Sequence, residues 1–152
     1  MQSKLIISDT SCFIALSNIG ELDLLRLLYK KIVTTTEIAA EFGESLPDWV
    51  EIIPVSDKSK QELIEMQVDR GEASAIALAL ESKNPFLIID DFKARKLAQN
   101  LKLNHTGTIG LIIAAKQKGI INSIKPLLKK IKATNFRISA ELELQALIEA
   151  NE

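Results

Sequence analysis

The chain has 152 residues, of which 47% are hydrophobic and 26% are charged, and its formal net charge at pH 7 is −1. Such a length suits one folded domain with a sizeable core, and the near-neutral charge provides no global basic field for nucleic acid. One cysteine, Cys12, excludes an intrachain disulfide, and with one histidine, His105, the chain lacks ligands for a cysteine- or histidine-based zinc site.

The hydropathy of the chain argues against a membrane protein. The N-terminal apolar run is too short for a signal peptide. No stretch approaches the roughly 18 apolar residues that a membrane span needs. We therefore expect a cytoplasmic protein with no membrane partner.

Strand-like and helix-like segments alternate along the chain. The apolar pattern, with Gly and Pro as breaks, predicts the following elements in chain order. They are a strand at 5–8, a helix at 11–28 interrupted near Gly20, a strand at 32–34, a helix at 36–42, a strand at 50–55, a helix at 58–68, a break at Gly71 and a helix at 72–80, a strand at 86–90, a helix at 92–101, a short segment at 103–105, a helix at 108–118, a helix at 124–131, a strand candidate near 136–138 and a helix at 140–150.

This alternation predicts an α/β fold, a three-layer α/β/α sandwich around a mostly parallel sheet. The apolar runs LII and FLII fit strands that are covered on both faces. No internal repeat, low-complexity tract or linker composition interrupts the pattern. We therefore expect one domain over residues 1–152.

Two of the predicted strands deliver an aspartate at their carboxyl ends. LIISD ends in Asp9, and FLIID ends in Asp90 with Asp91 directly after it. In open α/β sheets, ligands bind outside the carboxyl ends of the strands. If the two strands are neighbours, the three aspartates share one crevice. The alternative is that each aspartate only caps the helix that follows it.

Two glutamates lie on helices that follow other strands. Glu41 belongs to TTTEIAAEF, and Glu72 lies in the first turn of the helix in RGEASAIALA. Pattern alone favours a solvated helix face for Glu41 and compensation of the helix dipole for Glu72.

Four stretches taken together resemble one known family. They are ISDTSCFIAL, TTTEIAAEF, RGEASAIALALE followed by LIIDDFKARKLA, and TGTIGLIIAAKQKGII. In order and spacing they resemble the PIN-domain nucleases over nearly the whole chain, most closely the subgroup found among prokaryotic toxin–antitoxin toxins. The second segment of that family often opens with proline, whereas this chain has Thr35.

The resemblance implies a catalytic cluster of four acidic residues, Asp9, Glu41, Glu72 and Asp90. Four carboxylates about 5–6 Å apart repel by roughly 3 kcal/mol per pair at an effective dielectric constant near 20, so a cation is expected among them. An all-oxygen site favours Mg²⁺ or Mn²⁺, with Asp9, Asp90, Asp91 and Glu72 as the expected ligands. The implied reaction is metal-assisted hydrolysis of RNA phosphodiester bonds, as in an endoribonuclease.

Further residues and partners complete this hypothesis. We expect Thr10 and Ser11, at the start of the first helix, to contact the substrate, together with Arg95 and Thr108. The resemblance also implies a homodimer, with RNA as substrate and a small antitoxin protein as a partner.

Two other functional classes are compatible with parts of the sequence. One is a PIN-like module that binds RNA or protein without turnover. The other is an aspartyl phosphohydrolase or a receiver domain, which also places aspartates at strand ends. The phosphohydrolase requires a second aspartate two residues after the first, where this chain has Ser11. Neither member of the second class gives Glu41 and Glu72 a role.

Overall fold

A five-stranded parallel sheet forms the centre of the computed structural model, which describes residues 3–152. Met1 and Gln2, the first two residues of the predicted domain, lie outside the described residues. The strands, in the spatial order β3-β2-β1-β4-β5, are β1 (Leu5–Ser8), β2 (Ile32–Thr34), β3 (Val50–Ile52), β4 (Pro85–Ile88) and β5 (Asn104–Thr106).

Helices connect the strands and cover both faces of the sheet, which confirms the predicted α/β sandwich. Within residues 3–152, none of them is long and apolar enough to cross a bilayer. They are α1 (Thr10–Asn18), α2 (Asp23–Tyr29), α3 (Thr36–Phe42), α4 (Lys58–Ile64), α5 (Arg70–Leu80), α6 (Phe92–Asn100), α7 (Thr108–Gln117), α8 (Lys125–Lys132) and α9 (Ala140–Glu149).

The strand order makes β1 and β4 neighbours at the centre of the sheet. From β1 the chain moves outward through β2 to β3 and then returns to the other side of β1 to form β4 and β5. Ile7 pairs with Leu87 and Ser8 with Ile88, so the two strands end at the same level. The junction of β1 and β4 is therefore the topological switch point, where parallel α/β sheets bind ligands.

Burial explains why these short strands are apolar throughout. Ile7, Ile32, Leu87 and Ile88 are fully buried because helices lie on both faces of the sheet. The hydroxyl of Thr34, at the end of β2, donates a 2.9 Å hydrogen bond to the carbonyl of Ser8. This bond ties the carboxyl end of β2 to that of β1, just before Asp9.

Side chains from the strand–helix loops begin the helices at this edge. Asp9 caps α1, Thr35 caps α3 and Asp91 caps α6, each through a hydrogen bond from a backbone N–H of the first turn. Thr35 also shares a 2.7 Å hydrogen bond with the hydroxyl of Ser74 on α5. The residue that replaces the family's frequent proline therefore links α3 to α5.

Several expectations about the elements were wrong. The strand predicted at 50–55 ends at Ile52, and the helix predicted at 58–68 ends at Ile64. Gly71 is not a break between helices, because α5 begins at Arg70 and includes it. Residues 136–138 form no strand. The strand predicted at 86–90 is β4, which begins at Pro85 and ends at Ile88, so that Asp90 lies in the loop beyond it.

The C-terminal helix α9 packs on α7, and its end is anchored by Glu152. The Glu152 carboxylate accepts hydrogen bonds from the Ser123 hydroxyl at 2.5 Å, the Ile124 backbone N–H at 2.7 Å and the Lys116 ammonium at 3.1 Å. These contacts, led by Ser123, lower the pKa of Glu152 to about 2.

Candidate active site

Asp9 lies at the end of β1, with only 2% of its surface exposed. Its Oδ1 accepts a 2.9 Å hydrogen bond from the backbone N–H of Cys12, in the first turn of α1. Its Oδ2 accepts a bond of the same length from the backbone N–H of Asp90. The carboxylate is therefore held by both central strand–helix loops. Asp9 caps α1, which was the alternative prediction, and it also lies at the switch point of the sheet.

Asp90 is held from the other side by α7. Its Oδ1 accepts a 2.8 Å hydrogen bond from the backbone N–H of Thr108, and its Oδ2 accepts a 2.6 Å bond from the Thr108 hydroxyl. The residue before Thr108 is Gly107, where a Cβ atom would lie 2.9 Å from Oδ1 of Asp90. A glycine is therefore needed for α7 to approach the carboxylate this closely.

The electrostatics of the pair are unfavourable for two ionised carboxylates. Burial, followed by the negative charge of Asp90, raises the pKa of Asp9 well above its usual value, although the hydrogen bonds from the backbone oppose the shift. Burial and the charges of Asp9 and Asp90 likewise raise the pKa of the Cys12 thiol, which is fully buried beneath them. Cys12 therefore remains a protonated, unreactive thiol.

Glu41, on α3, contacts the start of α1. Its Oε1 accepts a 3.3 Å hydrogen bond from the hydroxyl of Thr10, the first residue of α1. A Cβ atom on Gly71 would lie 1.8 Å from the same Oε1, so the carboxylate rests against the bare backbone of α5. Glu41 is therefore packed between α1 and α5, although its residue surface is exposed.

Glu72 connects the acidic residues electrostatically. It lies half-buried in the first turn of α5. Burial raises its pKa, and so do the negative charges of Asp69, Asp91 and Glu41, while Glu72 in turn raises the pKa of Asp9. The fold thus brings the four predicted acidic residues into one negative field, with Asp91 at its exposed rim as the cap of α6.

Three of the four residues expected to contact the substrate are partly accessible, and the fourth is buried. Thr10 and Ser11 are half-buried in the first turn of α1, and Arg95 is half-buried on α6. Nη1 of Arg95 donates a 3.0 Å hydrogen bond to the carbonyl of Ile89. Thr108 is fully buried with its hydroxyl on Asp90. This position suits it to hold Asp90 in place, whereas contact with substrate would require an exposed hydroxyl.

The donor set fits a hard divalent cation in an open site. Among residues 3–152, no Lys or Arg forms an ion pair with Asp9, Glu41, Glu72 or Asp90. In the same range, no group of three or more Asp, Glu, His or Cys side chains is placed to hold a metal ion, so the structure does not gather the predicted ligands Asp9, Asp90, Asp91 and Glu72 into one metal-binding group. Mg²⁺ commonly binds to one or two carboxylates and retains several water molecules, so the Asp9–Asp90 pair alone suits it.

Sequence reasoning did not recognise two residues of this region. Gly71 was interpreted as a helix break, although a glycine inside a run of Ala and Ser in RGEASAIALA is also typical of close helix packing. The sequence pattern places Phe92 only at the start of a helix. Its position directly after two aspartates indicates a further role, because no apolar stripe of that helix requires an aromatic residue there.

Comparison with known proteins identifies the family. A family model described as a PIN domain matches residues 5–152, nearly the whole chain. No curated protein and no solved structure gives a significant match. The match covers the sheet, all the acidic residues described above and the helices that position them, so the chain belongs to the PIN-domain family.

Proposed function

We propose that this protein is a metal-dependent ribonuclease that hydrolyses RNA phosphodiester bonds at the carboxyl edge of β1 and β4. PIN domains are generally nucleases that use divalent metals, which makes nucleic acid the substrate class. The observation that carries the proposal is the Asp9–Asp90 pair, buried or half-buried at the switch point and without a cationic partner among residues 3–152.

Asp9 and Asp90 are the residues that would hold Mg²⁺ or Mn²⁺, with Glu72 and Asp91 on the same side of the cluster. When bound, the ion would offset the carboxylate repulsion, polarise a phosphoryl oxygen and lower the pKa of an attacking water. The backbone N–H groups of Cys12 and Asp90 keep Asp9 oriented, and Thr108 keeps Asp90 oriented. No rearrangement of these two side chains is then needed when substrate arrives.

Glu72 is suited to proton transfer, and Glu41 to orienting a water molecule, beside the Asp9–Asp90 pair. The raised pKa of Glu72 brings its carboxyl group nearer the range in which a general acid or base works at neutral pH. Glu41 is fixed by Thr10 and Gly71, so it would orient water by a hydrogen bond from one defined position.

Three finer features of the proposal follow from the family resemblance: endonucleolytic cleavage, a homodimer and a role as the toxin of a toxin–antitoxin pair with a small protein antitoxin. The proposed cytoplasmic location follows from the hydropathy of the chain. Purification of the tagged protein from its own source tests whether a small antitoxin protein co-purifies with it. Light scattering of the purified protein measures its mass and so tests the dimer.

The decisive experiment measures Mn²⁺-dependent cleavage of a labelled single-stranded RNA by the wild type, Asp9→Asn and Asp48→Asn. Asp48 is an exposed aspartate outside the cluster and serves as the matched control. We expect cleavage by the wild type and the control, none by Asp9→Asn, and none by any of them in excess chelator.

Equal cleavage by Asp9→Asn and the wild type, or cleavage that survives the chelator, would overturn the metal mechanism. Tight binding of RNA by all three proteins without cleavage would instead establish a binding module.

A further inference from the structure

Phe92 is exposed in a way that the other phenylalanines of the chain are not. It is the first residue of α6, directly after Asp90 and Asp91, and 78% of its surface is accessible. The other four phenylalanines are buried or half-buried against the core: Phe13, Phe42, Phe86 and Phe136. Core packing therefore does not account for an aromatic ring at position 92.

The ring of Phe92 lies between two cavities that flank the acidic cluster. One, of about 430 Å³, lies between α6, α7 and α9, and Asp90 and Gly107 form part of its wall. The other, of about 540 Å³, lies between α6 and the start of α5, and Asp91 and Asp69 form part of its wall. Phe92 lines both cavities, so an extended ligand that crosses the Asp90 edge from one cavity to the other passes the ring.

Cationic side chains line both cavities next to the Phe92 ring. Arg95 and Arg137 line the first cavity together with Asp90 and Glu149, whereas Lys93 lines the second among three carboxylates, Glu65, Asp69 and Asp91. None of these three cations forms an ion pair with an acidic residue among residues 3–152. Arg95 donates one hydrogen bond to the carbonyl of Ile89. In a chain of net charge −1, these cations lie where a negatively charged ligand would meet the carboxylate cluster.

An aromatic face beside guanidinium groups is the chemistry that binds an unpaired nucleotide. Bases that are not stacked in a helix stack on Phe, Tyr or Trp, while Arg and Lys meet the phosphates. A base within an RNA duplex is already stacked on its neighbours and cannot cover the ring.

We infer that Phe92 stacks on the base of an unpaired nucleotide whose phosphate lies beside the Asp9–Asp90 pair. The inference rests on the proposed function and adds to it the residue that contacts the base of a single-stranded substrate. Arg95 and Arg137 meet the phosphates on the side of the first cavity.

The test compares the wild type with Phe92→Ala, Phe92→Trp and the control Leu27→Ala, which removes another exposed apolar side chain, 54% accessible, on α2. Fluorescence anisotropy in chelator measures binding of a fluorescein-labelled, non-self-complementary RNA, as the single strand and as a blunt duplex. We expect Phe92→Ala to weaken binding of the single strand about 5- to 150-fold, the range for loss of one stacked base. We expect Phe92→Trp and Leu27→Ala to bind as the wild type does, and duplex affinity to be equal in all four proteins.

A second arm replaces one nucleotide at a time by an abasic residue. At one position, removal of the base should weaken binding by the wild type and have no further effect on Phe92→Ala, because both changes delete the same contact. Single-strand affinity unchanged in Phe92→Ala, or equal losses for single strand and duplex, would overturn the inference.

The two proposals fail in different ways. Metal-dependent RNA cleavage whose KM does not depend on Phe92 overturns the inference and leaves the proposed function standing. Phe92-dependent binding of single strands without cleavage supports the inference and overturns the nuclease. Absence of RNA binding by the wild type overturns both.

Discussion

The backbone N–H of Asp90 donates a 2.9 Å hydrogen bond to Oδ2 of Asp9. The two residues are 81 positions apart in the chain, yet this bond fixes the position of one carboxylate relative to the loop that carries the other. Because Asp9 also accepts from Cys12, both of its oxygens are engaged by backbone donors. The pair is thus held as a unit, and changes in either loop are expected to affect both side chains.

Asp9→Asn should reduce the pH dependence of folding stability. The folded pKa of Asp9 is raised above the unfolded value of about 3.9. The folded state therefore binds the proton more tightly, and the free energy of unfolding falls as pH rises from about 4 through the folded pKa. In chelator, we expect urea unfolding to show this decline in the wild type and a smaller one in Asp9→Asn. An identical decline in both proteins would contradict the prediction, and Asp48→Asn is the matched control.

Mn²⁺ should raise the melting temperature of the wild type and of Asp48→Asn but not that of Asp90→Asn. An ion that binds only the folded state adds about 2.7 kcal/mol to the free energy of unfolding at a concentration one hundred times its Kd. Differential scanning fluorimetry over a Mn²⁺ titration measures the shift. The same shift in Asp90→Asn would place the ion elsewhere.

Thr108→Val should lower kcat roughly 10-fold or more with little change in KM. The substitution keeps the buried volume and the backbone bond to Oδ1 of Asp90 but removes the hydroxyl bond to Oδ2. A hydrogen bond to a charged group contributes about 1.5–3 kcal/mol, enough for such a loss if it orients Asp90 in the transition state. Thr108→Ser restores the hydroxyl and should restore kcat. A main effect on KM would instead indicate direct contact with substrate.

Gly71→Ala should impair cleavage without unfolding the protein. The new Cβ would fall 1.8 Å from Oε1 of Glu41, so that carboxylate must move, while Ala is favoured over Gly in a helix by about 1 kcal/mol. In a Glu41→Ala background the same substitution should cost no further activity. Full activity of Gly71→Ala, measured on the same RNA, would show that the position of Glu41 is unimportant.

Much of the local structure was predictable from sequence because its causes are local. The bounds of β1, β2 and α3 agree with the expectation, since short apolar runs followed by a capping Asp or Thr define where such strands end and helices begin. The convergence of Asp9 and Asp90 was predicted only on the condition that β1 and β4 are neighbours, which the structure satisfies.

The sequence by itself determined the α/β class, the two apolar strands that end in aspartates and the family pattern that names the four acidic residues. Only the tertiary structure decided what surrounds those residues: Gly71 against Glu41, Thr108 beneath Asp90, and Phe92 exposed between two cavities. The reason is physical. Hydropathy and capping act between near neighbours in the chain, whereas desolvation, steric fit and carboxylate repulsion depend on which distant segments the sheet brings together.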